Sequence, residues 1–323
     1  MSAFTVSLDD VTEVGAGLVR PECVLCTAAG NVYTSDWRGG IARTRSDGAH
    51  VLIGQPGPAA TPAFKPNGFA LRRDGSFLFA NLGADGGVWQ LARDGTITPF
   101  LLEVDGLVLP PCNFVLLDAA DRVWISVSHG QRPREPRADL ADGVVVVVDG
   151  RGARIAADGF VWTNECRVDA TGRFLYVNET FGRRLSRFRL GPDGVLSGRE
   201  TVATFGAGTF PDGLAADAEG GMWVTSVVSN RVIRVMPDGA AHVVLEDQDP
   251  AHVARVERAF GTRQLTLELI HENHARKLCN VSSLAFGGPD LRTAYLGCLS
   301  GDRLATFRSP VAGAPPAHWT WES

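Results

Sequence analysis

"FPDGLAADAEGGMWVTSVVSNRVIRVMPDG" runs from Phe210 to Gly239. Its apolar and β-branched runs, cut by Asp-Gly, Glu-Gly-Gly and Pro-Asp-Gly, read as short strands joined by tight turns. The central phrase "GGMWVTSV" recurs with an aromatic at its fourth or fifth place as "GNVYTSDW", "GSFLFANL", "DRVWISVS", "GRFLYVNE" and "RTAYLGCL". The aromatics are Tyr33, Phe79, Trp124, Tyr176, Trp223 and Tyr295, at intervals of 46, 45, 52, 47 and 72 residues. Each phrase is flanked by further strand-like segments. The reading is six units of about four strands, an all-β fold that closes as a six-bladed β-propeller over residues 1–323. A β-sandwich would not need units of constant length. The signature of WD repeats is absent.

The long last interval holds an insertion, about residues 250–278, with helical composition and no β alternation, so it interrupts the propeller before the last blade without adding one. His271 and His274 lie there and read as a solvated pair. Closure should come from the chain ends, with residues near Phe4 to Val14 and the C-terminal "PAHWTWES" in outer strands of the terminal blades.

A 323-residue chain that is 45% hydrophobic can bury a large core. A formal charge of -5 gives no broad basic surface, which argues against nucleic acid or an anionic membrane as partner and favours a small molecule or a cation. No basic start and apolar run open the chain, and Val144 to Val148 is too short to span a bilayer, so the expectation is a cytoplasmic protein, monomeric or weakly self-associating. The six scattered cysteines read as free buried thiols, Cys23 and Cys26 included.

The sequence has eleven Asp-Gly pairs, most of them hairpin punctuation. Asp212 differs from the rest by its place in a column. Counting back 11 to 13 residues from each aromatic gives Glu22, Asn67, Asn113, Asn164, Asp212 and Ser282, each about to open an innermost strand. Innermost strands surround the propeller axis, so these side chains converge on one rim of the channel. Two carboxylates among amide and hydroxyl oxygens repel or go unsatisfied unless a cation fills the ring. Calcium suits neutral oxygens beside carboxylates, with magnesium and manganese as alternatives, while zinc prefers the His or Cys that the column lacks. Pro211 and Gly213 supply the turn geometry that would aim Asp212 down the channel.

The same segment, with "RPECVL", "KPNGFALRRDG" and "SSLAFGGPDLRTAYLGCL", resembles the family of senescence marker protein (regucalcin), gluconolactonase and luciferin-regenerating enzyme. The likeness covers nearly the whole chain and is strongest over Pro211 to Gly239 and Ser282 to Cys298. It implies a six-bladed propeller with one divalent ion, often calcium, in the channel, and it implies lactone hydrolysis. By motif, Glu22, Asn164 and Asp212 match the metal ligands, and Asn113 matches an Asn that binds metal or substrate. Glu165 stands where Gly usually follows the Asn, Phe114 where Asp often follows the blade-three Asn, and Cys23 where Gly often follows the Glu.

The resulting expectation is a metal-dependent lactonase in which Asp212 accepts a proton from water and Asn113 orients the acyl oxygen. Asn67, Asn113, Arg132 and Ser282 would contact substrate, His129 would assist proton transfer, and Arg134 and Arg137 could join Arg132 in drawing a carboxylate. Two other classes compete: a different metal-dependent reaction in the same channel, such as phosphotriester hydrolysis or a lyase or cyclisation step, and a non-catalytic calcium-binding propeller.

Overall fold

A computed structural model describes residues 4–45, 48–54, 64–130, 136, 138–272 and 276–321. Six antiparallel sheets of four strands stand around one axis. Their innermost strands are Val24–Cys26, Pro66–Leu71, Phe114–Leu117, Thr163–Val168, Thr209–Ala216 and Val281–Gly287, which open blades one to six in that order. Blade five continues outward through Met222–Val228, Arg231–Val235 and Ala241–Glu246, each pairing with the one before. The repeat read from the sequence is this unit.

The aromatics that betray the repeat sit on the second strand of each blade. Tyr33, Phe79, Trp124, Tyr176 and Trp223 are buried between sheets, and Tyr295 is partly buried. Two of them are tied down by an aspartate from the preceding turn. Asp217 accepts from Trp223 Nε1 at 2.9 Å, from Arg234 Nε at 2.7 Å and from the Gly221 amide at 2.8 Å. Asp118 does the same for Trp124 Nε1 at 2.8 Å and Arg122 Nε at 2.7 Å. A buried indole N–H needs such a partner, so the Asp-to-Trp spacing is a packing requirement.

Closure uses the N-terminus alone. Thr12–Val14 pairs with Leu304–Arg308 as the outermost strand of blade six, with Thr12 opposite Thr306. Among the described residues the C-terminal segment forms no outer strand, contrary to the sequence expectation. It crosses the far end of the channel, where the Ala314 amide donates to Ala216 and the Trp319 carbonyl accepts from Ala28. Pro310, Pro315 and Pro316 explain the difference, since proline cannot donate to a strand ladder. Between this tail and the inner-strand ends lies a cavity of about 340 Å³, lined in part by Leu25, Leu116, Val168, Ala216, Leu284 and His318.

The insertion is helical as expected. Helix α1 (Pro250–Gly261) is capped by Asp249, whose carboxylate accepts from the Ala251 and His252 amides, and α2 (Leu267–His271) follows. The pair lies over blades four and five, where Val256 and Ile270 bury against Trp162, Phe181 and Phe210. Glu257 fixes α1 by accepting from Arg183 and from the Gly208 amide. His274 lies outside the described residues. All six cysteines are free, five of them buried, and no helix among the described residues is long and apolar enough to cross a membrane.

Candidate active site

The column residues open the inner strands at one end of the channel, and all six are buried. Four of them owe their direction to a β-bulge. In blade five Pro211 pairs with Ser226 and Leu214 with Val224, so Asp212 and Gly213 together face Thr225. In blade four Thr163 pairs with Glu179 and Cys166 with Val177, which leaves Asn164 and Glu165 opposite Asn178. Blade two does the same with Asn67 and Gly68, and blade six with Ser282. A bulge adds a residue, bends the strand and re-aims its side chain. The Pro-Asp-Gly around Asp212 is therefore a bulged strand and not the tight turn the sequence suggested. Glu22 and Asn113 stand just before their strands.

The bulges leave backbone groups that neighbouring blades satisfy. Asn178 Nδ2 donates to the carbonyls of Asp212 and Gly213, both at 3.0 Å. Asn67 Nδ2 donates to the Asn113 carbonyl at 2.8 Å, and Ser282 Oγ donates to the Glu22 carbonyl at 2.9 Å. Gly213 is needed where it stands, since a Cβ there would meet the Ser282 carbonyl oxygen at 2.5 Å. The rim is thus stitched from blade to blade.

What remains unsatisfied is informative. Asn164 Nδ2 donates to Thr180 Oγ1 at 2.9 Å, but Asn164 Oδ1 is buried without a hydrogen-bond partner, and so is Asn67 Oδ1. Burial first, then the charges of Glu22 and Glu165, push the Asp212 carboxyl well above the usual carboxylate range. Burial raises Glu165 to about 7, against the pull of the Arg167 guanidinium. Orphaned amide oxygens beside crowded carboxylates are acceptors that a cation would satisfy, and the donor set is all oxygen. The residues present therefore fit a hard divalent ion at Glu22, Asn164 and Asp212. Among the described residues no three His, Cys, Asp or Glu side chains gather as a metal cluster of their own, because two carboxylates share this rim with amides.

His129 is buried on the loop after the second strand of blade three, its ring 5.2 Å from that of Trp162, two residues ahead of Asn164. Arg132, Arg134 and Arg137 lie outside the described residues. Sequence reasoning passed over Arg20, whose Nε and Nη2 both reach Glu22 Oε2 at 3.1 Å. It also gave Asn178 no place in the site, and only its position on the strand facing the column could have marked it.

A family model described as the SMP-30/Gluconolactonase/LRE-like region matches residues 20–262. The chain belongs to this family. It is 28% identical over 232 residues to the 6-deoxy-6-sulfogluconolactonase of Pseudomonas putida, which covers 71% of this chain and 67% of that protein. Among solved structures, a gluconolactonase from Xanthomonas campestris superposes with a TM-score of 0.67 at 19% identity, covering 93% of this chain and 89% of that one. A calcium-binding regucalcin from Agrobacterium tumefaciens superposes with a TM-score of 0.65 at 16% identity, covering 92% of each chain. These two likenesses speak to the fold alone.

Proposed function

We propose that this member of the SMP-30/gluconolactonase family is a lactonase that opens small sugar-type lactones and depends on one divalent cation, calcium before magnesium, manganese or zinc. The observation that carries the reading is the pair of buried, unpartnered amide oxygens of Asn164 and Asn67 on a rim shared with Glu22 and Asp212. The family model and the sulfogluconolactonase relative support lactone chemistry. A bound cation supplies the positive charge that polarises a lactone carbonyl and makes water more acidic.

The chain's own residues do the rest. Asp212 accepts the proton of the attacking water, the part that a carboxylate on this rim can play. Asn113, held by its carbonyl to Asn67, presents its amide to the acyl oxygen. His129, beside Trp162, is placed to carry a proton at the mouth. No separate nucleophile is required.

The test compares Asp212→Asn with Asp238→Asn, an exposed Asp-Gly position whose carboxylate serves only the Ala240 amide among the described residues. Calcium at 100-fold over its Kd should add about 2.7 kcal/mol to the stability of the wild type. Asp212→Asn should weaken that gain and reduce lactone turnover at least about 10²-fold, while Asp238→Asn should do neither. Equal behaviour of the two variants refutes the assignment. Calcium binding without turnover of any lactone would leave the non-catalytic propeller standing.

A further inference from the structure

Two cations share one indole at the mouth of the channel. Arg20 and Lys65 each stand two residues ahead of a column residue, Glu22 in blade one and Asn67 in blade two. Trp37 lies between them, in the turn after Val32–Asp36. The Arg20 guanidinium is 4.3 Å and the Lys65 ammonium 5.0 Å from the centre of its ring. Both groups are positive, and each contact with the indole offsets only part of the repulsion between them.

The neighbouring carboxylates relieve it only on the Arg20 side. Asp36 is occupied by Arg38 Nε and Nη2 and by the Val19 and Arg38 amides. Glu22 takes Nε and Nη2 of Arg20 on one oxygen, and among the described residues the Nη1 donors of the guanidinium have no hydrogen-bond partner. Among the described residues the Lys65 ammonium has no ion pair or hydrogen bond, and Trp37 Nε1 is buried without a partner. Arg20 is moreover held at φ 54, the left-handed region that a non-glycine residue enters at a cost, and its carbonyl accepts from the Glu22 amide at 2.8 Å. The backbone is bent to place this guanidinium at the rim.

We propose that Arg20, Lys65 and Trp37 form a subsite for an oxyanion carried by the substrate, so that the preferred lactone bears a carboxylate, sulfonate or phosphate away from its reacting carbonyl. An unpaired ammonium on Lys65 and a guanidinium on Arg20 that is only partly engaged by Glu22, both set against one indole, match an oxyanion that accepts from several directions. The subsite lies on the blade-one and blade-two side of the rim, opposite the wall made by α1. It would therefore set which end of the lactone enters and leave the carbonyl facing Asp212. This inference rests on the lactonase reading for its substrate, and its test is arranged to separate the two.

The experiment measures kcat/KM on gluconolactone and on its counterparts with a carboxylate or a phosphate at C6. The wild type should favour at least one anionic lactone by on the order of tenfold, as one charge-assisted contact allows. Lys65→Gln should bring that ratio towards one, and Lys65→Arg should keep it. Because the ratio is internal to each sample, partial misfolding lowers both members and leaves it unmoved. A wild-type preference that survives Lys65→Gln, or no preference at all, overturns the subsite. If the wild type opens none of the three lactones, the lactonase reading fails, and calorimetry with 6-phosphogluconate against gluconate decides the subsite separately. Tighter binding of the phosphate, lost in Lys65→Gln, supports it; equal binding of both acids overturns it.

Discussion

His318 should make the protein acid-sensitive from the far end of its channel. The imidazole is buried under the C-terminal tail, where it bonds the Cys26 backbone and faces Arg167. Nε2 is buried with no partner. Burial first, then the Arg167 charge, lowers its pKa from 6.5 to about 3. Between those values the unfolded chain binds a proton that the folded one refuses, so folding stability falls as pH falls through this window. One unit is worth about 1.4 kcal/mol, so the step from pH 6.5 to pH 5 removes about 2 kcal/mol. Unfolding entropy of about 2 cal/mol/K per residue over this chain converts that loss to roughly 3 °C in Tm. Thermal unfolding of the wild type and His318→Gln should be followed at pH 7 and pH 5. The wild type should lose about 3 °C more than the variant over that interval. Parallel losses would show that the imidazole titrates normally and that the tail does not seal the channel.

Two further outcomes bear on the scaffold. Removing residues 312–323 should lower Tm markedly in thermal unfolding, because the apolar inner-strand ends around the far cavity lose their cover. An unchanged Tm would count against a structural tail. Asp217→Ala should cost about 3–5 kcal/mol in urea unfolding, since it strips a carboxylate from Arg234 and Trp223 inside a blade. A loss under 1 kcal/mol would mean that Glu219, the second partner of Arg234, carries the charge by itself.

Much of the rim was legible because its signal is periodic. A polar residue recurs at a near-constant distance before a buried aromatic, and the distance is fixed by an inner strand, a turn and half of the next strand. What aims those residues was not legible. A bulge is a property of a strand pair, and the partners Asn178 and Thr225 carry no mark of it in their own sequence. Gly68 and Gly213 hint at it, since a Cβ at either would collide with the next inner strand. The tail offered a clearer sign in its prolines, but the expectation that both chain ends close the ring outweighed it.

Glu165 shows where the sequence pattern and the local physics part. Blades two and five put glycine after the column residue so that adjacent inner strands can approach. Blade four puts a carboxylate there, which reaches across to the Leu214 amide at 3.0 Å and lies 3.5 Å from Arg167. A glutamate in that gap must be paid for in desolvation, and its raised proton affinity is the visible cost. It gives in return a direct tie between the strand of Asn164 and the strand of Asp212, the two candidate ligands that stand in adjacent blades. Arg167 extends the tie, since its Nε donates to the Leu214 carbonyl at 3.0 Å and its charge also bears on His318. The rim that would hold the cation and the tail that closes the far end are thus joined through one buried ion pair, Glu165 with Arg167.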